Sequence, residues 1–150
     1  MRHIGLVLSG GMGKGAYQIG ALSAIKEYFS PSDFEYVSAA SVGALNAYAF
    51  LTANLNNAQK IWEGVNLQGN KRFITSVLKS TFLQDVIGTI ATGAAIENTF
   101  YVPLLDLANR DLYYYDFSTI TKANIQQYLR ASVAIPLYNK GIEIERHFLY

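Results

Sequence analysis

The stretch Ile4-Gly5-Leu6-Val7-Leu8-Ser9-Gly10-Gly11-Met12-Gly13-Lys14-Gly15-Ala16-Tyr17-Gln18 decides the fold. Ile4–Leu8 is a short apolar run closed by glycines, as in a parallel strand buried on both faces. Across Ala16–Phe29, apolar residues recur at Ile19, Leu22, Ile25 and Phe29, the spacing of a helix. Ser30-Pro31-Ser32-Asp33 breaks the chain. Phe34–Ala40 then reads as a second strand, and Val42–Ala53, mostly alanine and other apolar residues, as a second helix. Strand, glycine loop, helix, strand, helix, with short joints, predicts an α/β fold on a parallel sheet.

Farther along, Asn54–Asn109 reads as mostly helical. It contains Ile61, Trp62, Val65 and Leu67, a polar break at Asn66–Lys71, and then Phe73, Ile74, Val77, Leu78, Phe82 and Leu83. Val86–Ile96 comes nearest to a membrane span. It holds Thr89 and Thr92, is closed by Glu97 and falls short of the roughly 18 apolar residues required, so a buried or lid helix is expected. Tyr113–Phe117 reads as a strand, Ser118–Ala134 as a helix ended by Pro136, and Ile142–Tyr150 as a hairpin arm entered through Lys140-Gly141. Residues 1–150 are expected to form a single domain.

Composition narrows the function. Hydrophobic residues make up 51% and charged residues 15%, against about 25% charged in an average domain. Such a thin polar surface implies that apolar surface meets lipid or a partner, a second copy of the chain included, or that covering chain is absent. The net charge of +1 comes from scattered basic residues, which excludes a nucleic-acid footprint. With no cysteine there are no thiolate chemistry and no disulfides. His3 and His147 are too few for a metal cluster and read as edge-strand residues. Glycines end the first apolar run too early for a secretory signal. The expectation is a cytoplasmic protein, at most peripheral to a membrane.

Two constellations carry chemistry. Glycines between a strand and a helix let backbone amides converge at the positive end of the helix dipole, making a site for a phosphate or an oxyanion. Lys14 is followed by Gly15 rather than Ser or Thr, which excludes a P-loop. Gly11, Gly13 and Ala16 satisfy a dinucleotide fingerprint. Its ribose-binding acid belongs at the far end of the second strand, however, and Asp33 and Glu35 stand at the near end. A purely structural glycine turn is the third reading. The second constellation, Ala39-Ala40-Ser41-Val42-Gly43-Ala44, places a serine between a strand and a helix. Such a serine is either a raised nucleophile or simply the helix N-cap. Both motifs sit at carboxyl ends of strands, where α/β sheets bind ligands, and a nucleophile beside an oxyanion cradle is acyl-transfer equipment.

Ser9–Gly20 resembles the G-G-G-x-K/R-G loop of patatin-like phospholipases, Ala40–Ala47 resembles their nucleophile motif, and Ala131-Ser132-Val133-Ala134-Ile135-Pro136 resembles their later A-S-x-A-x-P segment. The resemblance covers both ends of the chain. It implies a three-layer α/β/α sandwich with a mostly parallel sheet, incomplete at its C-terminal side. It also implies hydrolysis of lipid acyl esters, of phospholipase A or esterase type, without metal or organic cofactor. By carry-over Ser41 is the catalytic nucleophile, and the amides of Gly10, Gly11 and Met12 form the oxyanion hole. Met12 replaces the usual third glycine, so its side chain must turn away from the substrate. The family's base is the aspartate of a D-G-G or D-G-A motif following a strand like Ile142–Tyr150, and no Asp-Gly pair occurs in this sequence. A fragment of a longer protein, inactive alone, is therefore expected. The alternatives are a catalytically silent lipid-binding or assembly module, or a dinucleotide-binding domain. Asp106, Asp111 and Asp116 are substitute candidates for the base. Lys14 reads as a phosphate contact or a solvated charge. Trp62 and Tyr113-Tyr114-Tyr115 read as an acyl groove or ordinary packing. A chain cut at Tyr150 is expected to leave Ile142, Ile144, Phe148, Leu149 and Tyr150 partly uncovered.

Overall fold

The computed structural model describes residues 4–64, 80–92 and 94–150. His3, the polar break Asn66–Lys71 with Val65, and the apolar residues Phe73, Ile74, Val77 and Leu78 lie outside the described residues, as do the side chains of Met12, Phe82 and Leu83.

The opening folds as its pattern dictates. β1 (Ile4–Leu8) leads through one turn of 3-10 helix at Met12–Lys14 into α1 (Gly15–Ile25). α1 ends four residues short of Phe29 in a tight turn, and a capping box then starts the next segment. There the Ser30 amide donates to Asp33 Oδ2 at 2.7 Å, with Pro31 fixing the first φ. β2 (Phe34–Ala39) and α2 (Val42–Leu51) follow, and all ten residues of α2 are buried. Ala53, at φ 56°, ends that helix in the left-handed region.

Among its described residues, the middle is less helical than its apolar content suggests. α3 (Leu55–Gly64) and α4 (Ser80–Ile90) are helices, but Thr99–Asp106 is a strand, β3, which pairs with β4 (Asp111–Asp116). Phe100, Val102, Leu104 and Asp106 point into the core, and Tyr101 and Pro103 do not. This period of two was obscured by the apolar runs around it. Val86–Ile90 is the end of α4, residues 91–92 and 94–96 are irregular, and among the described residues no helix is long and apolar enough to cross a membrane. Asp116 shortens the helix expected from Ser118. Its Oδ1 accepts the Ser118 amide at 3.0 Å and hydroxyl at 2.7 Å, stabilising a turn, and α5 spans only Ile125–Val133. Ile142–Tyr150 is a complete hairpin, β5 (Ile142–Ile144) and β6 (His147–Leu149), rather than one arm. Its turn residues Glu145 and Arg146 both have positive φ, 51° and 70°.

β1, β2 and β3 run parallel, and the later strands pair antiparallel. At Tyr101, β3 has β2 on one edge and β4 on the other; near Asp106 it has β4 and β6. β6 therefore continues the edge that β2 vacates. Between them lies Pro103, whose missing N–H faces the unpaired stretch.

Among the described residues, helices pack on one face of the sheet. Leu6, Val37, Phe100 and Leu104 lie under α2 and α5, while Val7 is 79% exposed and Tyr36, Tyr101 and Tyr114 also face out. β1 is thus covered on one face, not two. In the terminal hairpin Ile144 and Leu149 are buried, but Ile142 and Tyr150 are only partly covered and Phe148 is 52% exposed, so apolar surface is uncovered there as well as on the outer sheet face.

The hairpin is pinned by a buried carboxylate. Asp106 accepts from the Ala108 amide and Asn109 Nδ2 and lies 2.7 Å from His147 Nδ1. The bond to His147 is the largest influence holding its carboxyl below the usual value, burial opposes it, and the Asn109 and Ala108 bonds reinforce it. A depressed folded pKa contributes stability that is present above the ordinary carboxylate range and lost as pH falls through the folded value. Asp106→Asn is therefore expected to lower the melting temperature at neutral pH. The gap to the parent should narrow in acid, and melting curves across that range check it.

Candidate active site

The site begins with a close approach of two chains. A Cβ at Gly43, in the first turn of α2, would lie 2.6 Å from the Leu8 carbonyl oxygen and 2.8 Å from that of Ser9. Only glycine lets α2 start flush against the end of β1. The approach is fixed by the Ala40 amide donating to Leu8 O at 3.0 Å and the Gly43 amide donating to Ala40 O at 2.9 Å.

Ser41 occupies the turn between β2 and α2 with φ 54° and ψ −129°. A non-glycine residue held there costs on the order of 1–3 kcal/mol. The hydroxyl makes no capping bond to α2, so helix capping does not account for the serine. A Cβ at Gly10 would lie 3.1 Å from Ser41 Cβ and 3.8 Å from Ser41 Oγ. The glycine loop and the serine thus stand against each other, between the N-termini of α1 and α2. Both helix dipoles favour negative charge at that point.

A buried amide network unnoticed in the sequence holds the loop. Gln18 Nε2 donates to Ser9 O at 2.7 Å, and Asn46 Nδ2 donates to Gly15 O at 3.0 Å and to Gln18 Oε1 at 2.9 Å. Trp62 Nε1 donates to Asn46 Oδ1 at 3.1 Å. Asn46 is fully buried. Both ends of the glycine loop, Ser9 and Gly15, are therefore tied to α1 and α2 from below. The one local signal was polar Asn46 inside an otherwise apolar helix.

The remaining candidates separate. Trp62 packs edge-on against Gly15, where a Cβ would meet its ring, so it is a packing residue and network donor. Tyr113, Tyr114 and Tyr115 alternate along β4: Tyr114 faces out, and Tyr115 stacks edge-to-face on Tyr128 at 5.3 Å. They line no common groove. Lys14 is exposed, with its stem folded over Gly11. Asp106 is committed to His147, Asp116 binds the Phe100 amide at the opposite end of the strands, and Asp111 accepts from Tyr113. Asp33 and Glu35 stand at the start of β2, far from the glycine loop, where no dinucleotide ribose would meet them.

With this geometry in view, comparison with known proteins is informative. The sequence profile described as patatin-like phospholipase matches residues 6–148. The chain belongs to the patatin-like phospholipase family. Among solved structures it is similar to VipD from Legionella pneumophila, with a TM-score of 0.64 at 16% identity. That match covers 99% of this chain and 45% of VipD, so this patatin-like phospholipase chain spans less than half of that protein's length. At this identity the likeness shows the α/β fold. No curated protein matches the sequence.

Two substitutions test the architecture. Gly43→Ala should destabilise the protein by about 1–3 kcal/mol through overpacking against two fixed carbonyls. Asn46→Ala should cost about 3 kcal/mol, because it strands Gln18 and Trp62 donors and acceptors in a buried site. Denaturant titration of each variant measures both.

Proposed function

We propose that this chain carries the nucleophile and oxyanion loop of a serine lipid acyl hydrolase of phospholipase A or esterase type. The observation that carries the reading is Ser41, strained at a strand-to-helix turn, uncapped, and in contact with Gly10 of a glycine loop. Ser41 Oγ attacks the acyl carbonyl and loses its proton to a carboxylate base. The oxyanion takes hydrogen bonds from amides of Gly10, Gly11 and Met12. The intermediate collapses, the alcohol leaves with the proton, and water then hydrolyses acyl-Ser41 by the same route. In this reading Ser41 stands at a nucleophile elbow.

The register supports a place for the base. Tyr150 exchanges both backbone hydrogen bonds with Leu105. Chain continuing antiparallel would run beside Leu104 and then Pro103. Extending the pairing of Ser38 with Tyr101 puts Ala40 beside that same Pro103. An aspartate in the first one or two residues after Tyr150 would arrive head-on at Ser41. That is the Ser–Asp dyad we propose for a chain that continues past Tyr150, working at a lipid surface without metal or organic cofactor.

Residues 1–150 alone should therefore turn over short acyl esters negligibly. Extending the chain past Tyr150 through an Asp-Gly motif should raise the rate by several orders of magnitude, and Ser41→Ala in that longer chain should remove it again. Ordinary enzymatic rates from residues 1–150 would show that the base lies within them.

A further inference from the structure

The turn between α5 and β5 holds an apolar side chain in water at a backbone cost. Leu137 is 102% exposed and has φ 75°, a left-handed conformation unfavourable for a branched residue. Its neighbour Tyr138 is 72% exposed. The turn is nonetheless closed by specific bonds. The Ile135 amide donates to Asn139 Oδ1 at 3.0 Å, and the Tyr138 and Asn139 amides donate to Ile135 O at 3.1 and 2.9 Å. At its far end the Tyr150 ring packs against Gly141. A strained, hydrogen-bonded turn that lifts leucine away from the core gains nothing within the fold.

Its position gives it a use. The turn runs into Ile142, which pairs with Leu149, which pairs with Asp106 at the carboxyl end of β3. That is the end of the sheet carrying Ser41 and the glycine loop. Tyr17, in the first turn of α1, is 81% exposed at this end too. Leu137 and Tyr138 are two adjacent exposed side chains on a short hydrogen-bonded turn, far less area than a globular partner would bury. Leucine beside tyrosine is the composition that enters the headgroup region, the tyrosine keeping its hydroxyl wet. Nearby charges balance, Arg110, Lys140 and Arg146 against Asp111, Glu143 and Glu145, so attraction to anionic lipid is not what drives contact.

We propose that the Pro136–Lys140 turn inserts Leu137 and Tyr138 into the interface of a lipid bilayer and so presents the Ser41 end of the sheet to it. This rests on the lipid acyl hydrolase reading for its purpose, but binding is measurable without turnover. The sequence has no cysteine, so Leu137→Cys can be labelled with an environment-sensitive fluorophore such as nitrobenzoxadiazole. With phosphatidylcholine vesicles its emission should rise and shift to the blue. A label at Tyr28→Cys, exposed beyond the other end of α1, should not respond. Leu137→Asp should weaken vesicle partitioning about tenfold or more, and Ser41→Ala should leave it unchanged. A label at position 137 that stays solvent-like with vesicles on a folded protein overturns the proposal. So does a blue shift that needs no vesicles and grows with protein concentration, which would make a second copy the occupant. Vesicle binding through Leu137 by an extended chain that hydrolyses nothing would sink the hydrolase reading and leave this one standing.

Discussion

Gly43 has no room for a methyl group, and the rest of the site follows from that. Because its Cα lies against the carbonyls of Leu8 and Ser9, the start of α2 cannot move away from the end of β1. The serine two residues earlier must then turn sharply enough to accept φ 54°, and its side chain is driven against Gly10. The strain is held by burial: α2 is enclosed along its whole length, and Asn46 ties it to both ends of the glycine loop. A loop alone would relax such a conformation; a helix with no exposed face cannot.

The parts legible in the sequence were those written in consecutive residues. Ile4–Leu8, the glycine loop, Phe34–Ala39 and Ser41 each declare themselves within a few positions, and the Leu8-to-Gly15 and Ala39-to-Val42 junctions fall where the motifs put them. β3 escaped because Phe100, Val102 and Leu104 alternate inside a long apolar region that also reads as helix, and Pro103 argues against a central strand. It is tolerated because its nitrogen faces the break between β2 and β6. The Gln18–Asn46–Trp62 network and the Asp106–His147 pair were illegible for another reason. Their partners are 28, 16 and 41 positions apart, and no local pattern announces such meetings.

The unusual composition also finds its place. Beyond what the core takes up, part of the apolar content lies on the outer face of the sheet, where Val7, Tyr36, Tyr101, Leu112 and Tyr114 are exposed. In a three-layer sandwich that face carries a second set of helices, whereas the described helices all lie on the other. In the terminal hairpin Ile144 and Leu149 are buried while Phe148 stays exposed, and Asp106 and the β3 edge hold the hairpin in place.

The central claim, that Ser41 is the nucleophile raised toward the Gly10–Met12 amides, is tested most directly by a covalent trap. A long-chain alkyl fluorophosphonate would be added to a chain extended past Tyr150, and the adduct located by peptide mass spectrometry. The account predicts a single phosphonyl group on the peptide containing Ser41, fluoride having left, with Ser9 and Ser132 unmodified. Inactivation with the label on another serine, or esterase turnover that continues with Ser41 fully labelled, would contradict it.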